Sequence, residues 1–240
     1  MVVFREYTCL NAEKRKRYIQ EVVNRCALQG GGRVDIPEGT WISGPIHLQS
    51  NIELHLCNNA VISFSDIPED YLPVVFTRWE GMECYNYSPL IYARNCENVS
   101  ITGSGKLLGN GVKWWNWKQL QQKAAKELCY AQSNGVSVEK RIYGTREAAL
   151  RPSFIQFIGC KNVVLRDFTI EDGSQWTIQP VYCEDVIVKN VKVKTSGPNT
   201  DGLNPDSCTN VWIENCSFET GDDCIAVNSG MNEDILEREI

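Results

Sequence analysis

Cys160-Lys-Asn-Val163, Cys183-Glu-Asp-Val186 and Cys208-Thr-Asn-Val211 are three versions of one short step. They recur at intervals of 23 and 25 residues, and Cys96-Glu-Asn-Val99 is an earlier copy. Each step opens an alternating apolar run: Val99 and Ile101, Val163 and Leu165, Val186 and Val188, Val211 and Ile213. A second apolar patch follows at Phe168-Thr-Ile170, Val191-Lys-Val193 and Cys216-Ser-Phe218. A third precedes the next step at Trp176-Thr-Ile178, Asp201-Gly-Leu203 and Cys224-Ile-Ala-Val227. Alternation marks a half-buried strand. Three short strands per repeat describe one coil of a solenoid, which can bury its inner face only by stacking on its neighbours. The fold expected is all-β, a right-handed parallel β-helix. A leucine-rich-repeat solenoid would need leucines at fixed offsets, and only isolated leucines occur. In the β-helix register Cys160, Cys183 and Cys208 should stack as a buried row. Asn162, Asp185 and Asn210 should form a second row at a turn.

Upstream, Ile19, Val22, Val23, Cys26 and Ala27 fall on one helical stripe within 12–29. Asn11 is placed to cap the helix and Gly30-Gly31-Gly32 to end it. This helix should cover the open N-terminal end of the solenoid, whose unpaired strands need a cap. Its basic run Lys14-Arg-Lys-Arg17 reads as a solvated face. Short strands punctuated by Gly, Pro and Asn follow between residues 33 and 64. Residues 65–95 and 110–152 break the period and read as insertions, the second with a helix from Lys113 to about Gln132. Trp79, Tyr85, Trp114, Trp115 and Trp117 lie in them. They are expected either to pack the insertions onto the coils or to wall a sugar-binding groove. Residues 1–240 thus read as a single, partial β-helix domain.

Composition narrows the class. Hydrophobic residues make up 42% and charged residues 22%, as in globular chains, and the net charge of −6 argues against nucleic acid as a partner. No stretch is apolar enough for a membrane span, so no membrane partner is expected. The N-terminus shows no signal-peptide pattern. With 11 cysteines, an odd number, the reading is a cytoplasmic protein with reduced thiols. Zinc is disfavoured, because no Cys-x-x-Cys pair exists and His47 and His55 lie on apparent strands. No metal and no cofactor are expected.

Carboxylates concentrate in Pro198-Asn-Thr-Asp201-Gly-Leu-Asn204-Pro-Asp206 and Gly221-Asp222-Asp223-Cys224. The repeat register puts Asp201 and Asp223 at one strand position of adjacent coils, with Trp176 one coil earlier. Neighbouring parallel strands lie about 4.8 Å apart, so Asp201, Asp222 and Asp223 should crowd on one wall. Like-charge repulsion should then raise at least one pKa. A protonated acid beside ionised partners is what inverting glycosidic cleavage uses. Three carboxylates also suit calcium, as in a calcium-dependent lyase.

At these residues a resemblance becomes specific. Asn199-Thr200-Asp201-Gly202 and Gly221-Asp222-Asp223-Cys224 resemble the two aspartate motifs of the family 28 glycoside hydrolases, the polygalacturonases and their relatives. Gly30-Gly-Gly-Arg-Val34, Pro37-Glu-Gly-Thr-Trp41 and Gly44-Pro-Ile-His-Leu48 are similar to that family's opening coils. Arg151-Pro-Ser-Phe-Ile155 resembles the strand leading into its cleft. The resemblance implies inverting hydrolysis of α-1,4-galacturonosidic bonds in pectin or pectic oligosaccharides. Asp222 would be the general acid, while Asp201 and Asp223 would hold and activate the water. Asn199, Trp176 and Asn204 would be substrate-binding. The family pattern continues with Gly-His-Gly and Arg-x-Lys motifs that this sequence does not contain, and Asn228 stands where a lysine is expected. The chain therefore reads as truncated at its C-terminus. Self-association through an open last coil, or a remnant that only binds sugar, would follow from that.

Overall fold

The computed structural model describes residues 10–231. Apart from one hairpin in the first insertion, successive strands do not fold back on one another. They stack in parallel on the strands of the next coil, forming three sheets. The first sheet runs through Gly32–Ile36, Ile52–Leu56, Glu97–Gly103, Lys161–Arg166, Glu184–Lys189 and Thr209–Glu214. The second runs through Gly39–Ser43, Ala60–Phe64, Lys106–Leu108, Thr169–Glu171, Lys192–Lys194 and Ser217–Glu219. The third stacks Ile46–His47, Ile91–Arg94, Ile155–Ile158 and Ile178–Val181, and isolated bridges extend it through Leu203 and Ile225. This is the expected right-handed parallel β-helix.

Inward ladders of each sheet build the core, although the last members of two of them, Ile213 and Ile225, are exposed. Val34, Leu54, Ile101, Leu165, Val188 and Ile213 are register partners in the first sheet. Trp41, Ile62, Leu107, Ile170, Val193 and Phe218 are partners in the second. Ile46, Ile91, Ile155, Ile178, Leu203 and Ile225 are partners in the third. A shift of one residue would turn each ladder outward, so the apolar pattern locks the register.

The turn row forms as expected and runs further. Asn51, Asn98, Asn162, Asp185 and Asn210 all take left-handed backbone, with φ between 54° and 62°, a conformation Asn and Asp tolerate. Side-chain hydrogen bonds join neighbours in the row: Asn98 donates to Asn51 at 2.8 Å, Asn162 to Asn98 at 3.1 Å and Asn210 to Asp185 at 3.0 Å. The cysteines among the described residues are free thiols, and Cys160 and Cys183 are buried in the core.

The cap helix spans Ala12–Leu28, with Asn11 accepting from the Lys14 amide at 3.0 Å. Ile19, Val22, Val23 and Cys26 are buried against the first coil. Gln20 bonds both the backbone N–H and C=O of His47, satisfying the open edge as a neighbouring strand would.

The insertions differ in detail from the sequence reading. The first ends before Ile91, which already belongs to the third sheet. It carries an antiparallel hairpin, Val75–Trp79 with Met82–Asn86. Glu80 and Gly81 both have positive φ in its two-residue turn. The second begins as a 3-10 turn, Gly111–Lys113, before helices Trp117–Leu120 and Gln122–Ser133. Most of the insertion aromatics are packing residues. Trp114 is 1% exposed and meets Tyr71, Tyr87 and Trp117 edge-on or tilted, so it cannot line an open groove. Trp79 is buried as well, and Trp115 donates to the Gly173 carbonyl at 2.9 Å.

Candidate active site

The aspartate wall forms where successive coils enter the third sheet. Gly202 N–H donates to Asp223 C=O at 2.9 Å, and Thr177 N–H donates to Asp201 C=O at 2.9 Å. Trp176, Asp201 and Asp223 therefore occupy one position of three adjacent coils, about 4.8 Å apart along the stack. Two glycines permit this approach. A Cβ on Gly202 would meet the Cys224 carbonyl at 2.5 Å, and one on Gly221 would meet the Gly197 carbonyl at 2.2 Å. The buried Thr200 hydroxyl joins the two turns, donating to Gly197 C=O and accepting from Gly221 N–H.

The three aspartates stand in unequal surroundings. Asp201 is 4% exposed, whereas Asp222 and Asp223 are exposed. Asn204 donates to Asp201 Oδ2 at 2.8 Å, and Asp201 Oδ1 has no hydrogen-bond partner among the described residues. Burial, reinforced by repulsion from Asp222 and Asp223, raises the Asp201 carboxyl to about 6, and the Asn204 bond only partly offsets this. Asn199 sits in a left-handed turn and its amide nitrogen lies 3.4 Å from Asp222 Oδ2. Trp176 is partly exposed on the same wall. Asn204 is buried beneath it, so it positions Asp201 from behind, and a substrate would reach it only through that carboxylate.

A raised carboxyl costs the fold stability. The penalty is absent while both folded and unfolded states hold the proton. It grows as pH rises from about 3.8, the ordinary value, to about 6, and is complete above that. Asp201→Asn should therefore stabilise the protein by about 3 kcal/mol at pH 7 and hardly at all at pH 3.5. Urea melts at the two pH values read this directly, and an equal shift at both would contradict the burial argument.

Several contributors were not foreseen, because they come from the insertions and the strand edges. Arg151 is wholly buried beneath the wall. Its guanidinium donates to Asn199 Oδ1 at 3.0 Å, Pro198 C=O at 2.7 Å, Ser174 C=O at 3.1 Å and Gln121 Oε1 at 3.0 Å. Burial lowers it to about 10, so it stays charged at neutral pH. The chain Arg151–Asn199–Asp222 orients the last carboxylate. Glu80, at the tip of the hairpin, adds a fourth carboxyl. Burial raises its pKa and Asp222 repels it, while Lys118 and Arg151 oppose that shift. The hairpin itself is clamped on the outer face of the third sheet. Gln156 and Gln179 both donate to Arg78 C=O, and Trp79 donates to Gln175 Oε1.

Comparison with known proteins decides the family. The sequence profile of glycosyl hydrolases family 28 matches residues 132–239, which include the whole aspartate wall. The hyperthermoactive exopolygalacturonase from Thermotoga maritima superposes with a TM-score of 0.86 at 44% identity over 90% of this chain. This chain belongs to glycosyl hydrolase family 28. A probable polygalacturonase of Vitis vinifera is 30% identical over 85% of this chain. The family 28 exopolygalacturonase of Yersinia enterocolitica superposes with a TM-score of 0.74 at 25% identity over 98% of it. The chain spans 38% of the Vitis protein and 51% of the Thermotoga one, so it corresponds to about half of these family 28 relatives or less.

Replacing Arg151 by Met should test the orienting chain within this family 28 site. It would leave the Asn199 and Gln121 side-chain oxygens and two backbone carbonyls without their donor. We expect a loss of stability of about 1–3 kcal/mol, the cost of leaving buried acceptors unpaired. Urea melts of the two proteins measure it.

Proposed function

We propose that this protein hydrolyses α-1,4-galacturonosidic bonds of pectic chains with inversion, using Asp222 as acid and the Asp201–Asp223 pair to hold and activate water. The observation that carries the reading is the convergence of three carboxylates from two adjacent coils onto one wall, one buried and two exposed. Two relatives named exopolygalacturonases favour attack at a chain end, and the hairpin beside Asp222 offers a shoulder that would block passage of a longer chain.

In this division of labour Asp201 must be ionised to work. The rate should rise as pH increases through about 6, where burial and its neighbours hold the Asp201 proton. Were Asp201 the acid, the rate would fall through the same range. The deciding experiment digests polygalacturonate and follows the first-formed anomer by NMR. β-Galacturonic acid without unsaturated product supports the proposal. An unsaturated uronide that disappears with chelator would replace it with a calcium-dependent lyase.

A further inference from the structure

The first sheet carries a second cluster of chemically versatile side chains, on its outer face near the N-terminal cap. Asp35 and His55 are register partners on Gly32–Ile36 and Ile52–Leu56, so both point outward at the same level of the stack. Cys57 follows His55 by two residues, and its N–H bonds Ile36 C=O, which holds it at the end of the same strand pair. A carboxylate oxygen of Asp35, a ring nitrogen of His55 and the Cys57 sulfur all lie within 4.8 Å of one another. All three residues are half-buried, open to an ion yet partly screened from water.

The surroundings of His55 point to a ligand. Thr102, its partner on the other side in Glu97–Gly103, donates its hydroxyl proton to Glu53 Oε1 at 2.5 Å. With that proton committed, the Thr102 oxygen accepts from His55 Nδ1–H at 2.7 Å. The ring is thereby held as the Nδ1–H tautomer with its Nε2 lone pair available. Histidine metal ligands are oriented in this way, through an outer hydrogen bond from the other nitrogen. Arg33 Nε holds Asp35 Oδ1 at 2.7 Å and leaves Oδ2 for an ion.

We propose that Asp35, His55 and Cys57 bind one zinc ion, with water as fourth ligand, as a clip between the first two coils. The donor set chooses the metal. Thiolate and imidazole favour a borderline-soft ion over calcium or magnesium, and zinc accepts mixed sulfur, nitrogen and oxygen donors in a tetrahedron. Zinc separates its donor atoms by about 3.2–3.8 Å at ordinary bond lengths, so small side-chain rotations complete the site. Binding releases the Cys57 thiol proton to solvent. The ion ties the first coil to the second on their outer face, beside the strand pairing and buried ladders that already join them, and raises stability by mass action.

Cobalt(II) titration of the whole chain under reducing conditions tests this, with zinc as competitor. The expected result is one equivalent bound, giving tetrahedral d–d bands and a thiolate-to-cobalt charge-transfer band that zinc abolishes. Cys57→Ser should lose the charge-transfer band and the zinc-dependent rise in melting temperature, while its metal-free melting stays as in the parent. Thr102→Val, which leaves every ligand in place, should weaken zinc by about tenfold. No charge-transfer band on cobalt addition, or a band undiminished in Cys57→Ser, would overturn the proposal. These readouts do not depend on sugar cleavage.

Discussion

Asp222→Asn should lower hydrolysis of polygalacturonate by about a thousandfold, the loss expected when a general acid is removed. The carboxylate is exposed at the mouth of the wall, and among the described residues its side-chain partner is Asn199, so the fold should be unaffected. The sharper expectation concerns the leaving group. An aryl galacturonide with an acidic phenol departs without protonation, so Asp222→Asn should keep most of its rate on that substrate. Asp201→Asn should not, because the water would still lack its base. Paired kinetics on the polymer and the aryl glycoside separate the roles. Equal losses for both variants on both substrates would remove the basis for assigning the acid to Asp222.

The second large effect is structural. Arg78 of the hairpin and Asp206 of the aspartate segment form a fully buried ion pair at 3.0 Å, with Ser207 donating to the other Asp206 oxygen and Arg78 stacked over Tyr182. Despite the guanidinium, burial wins and leaves the Asp206 carboxyl above its ordinary value. The pair therefore contributes little net stability, but breaking it does harm. Asp206→Ala should destabilise by about 3–5 kcal/mol, because it strands a buried guanidinium. Replacing both partners, Arg78→Met with Asp206→Leu, should restore most of that loss. Denaturant melts of the three proteins decide the matter, and an Asp206→Ala variant within 1 kcal/mol of the parent would refute the argument.

Asp206 also shows how far the sequence could be read. It lies in the same acidic segment as Asp201, five residues on. Period alone could not distinguish a carboxylate facing solvent from one facing a hairpin. The burial of Asp206 is set by Arg78, which lies 128 residues earlier in an aperiodic stretch. Arg151 and Glu80 escaped for the same reason, since their partners are set by packing between insertions and coils. The sequence left open whether the tryptophans of the second insertion pack or wall a sugar groove, and Trp114 and Trp117 bury their rings against Tyr71 and Tyr87. Composition cannot tell an aromatic groove from an aromatic core. His55 likewise looked remote from any cysteine pair, until parallel stacking set Asp35 beside it.

By itself the sequence determined the coil, its register and the meeting of Asp201 with Asp223. Each follows from a repeat of about two dozen residues whose inward positions must all be apolar at once. The tertiary structure alone decided which carboxyl is buried, which cation orients it and which outward side chains converge on a metal-sized space. Those outcomes depend on the dielectric and the neighbours that long-range packing supplies, and no local spacing carries that information.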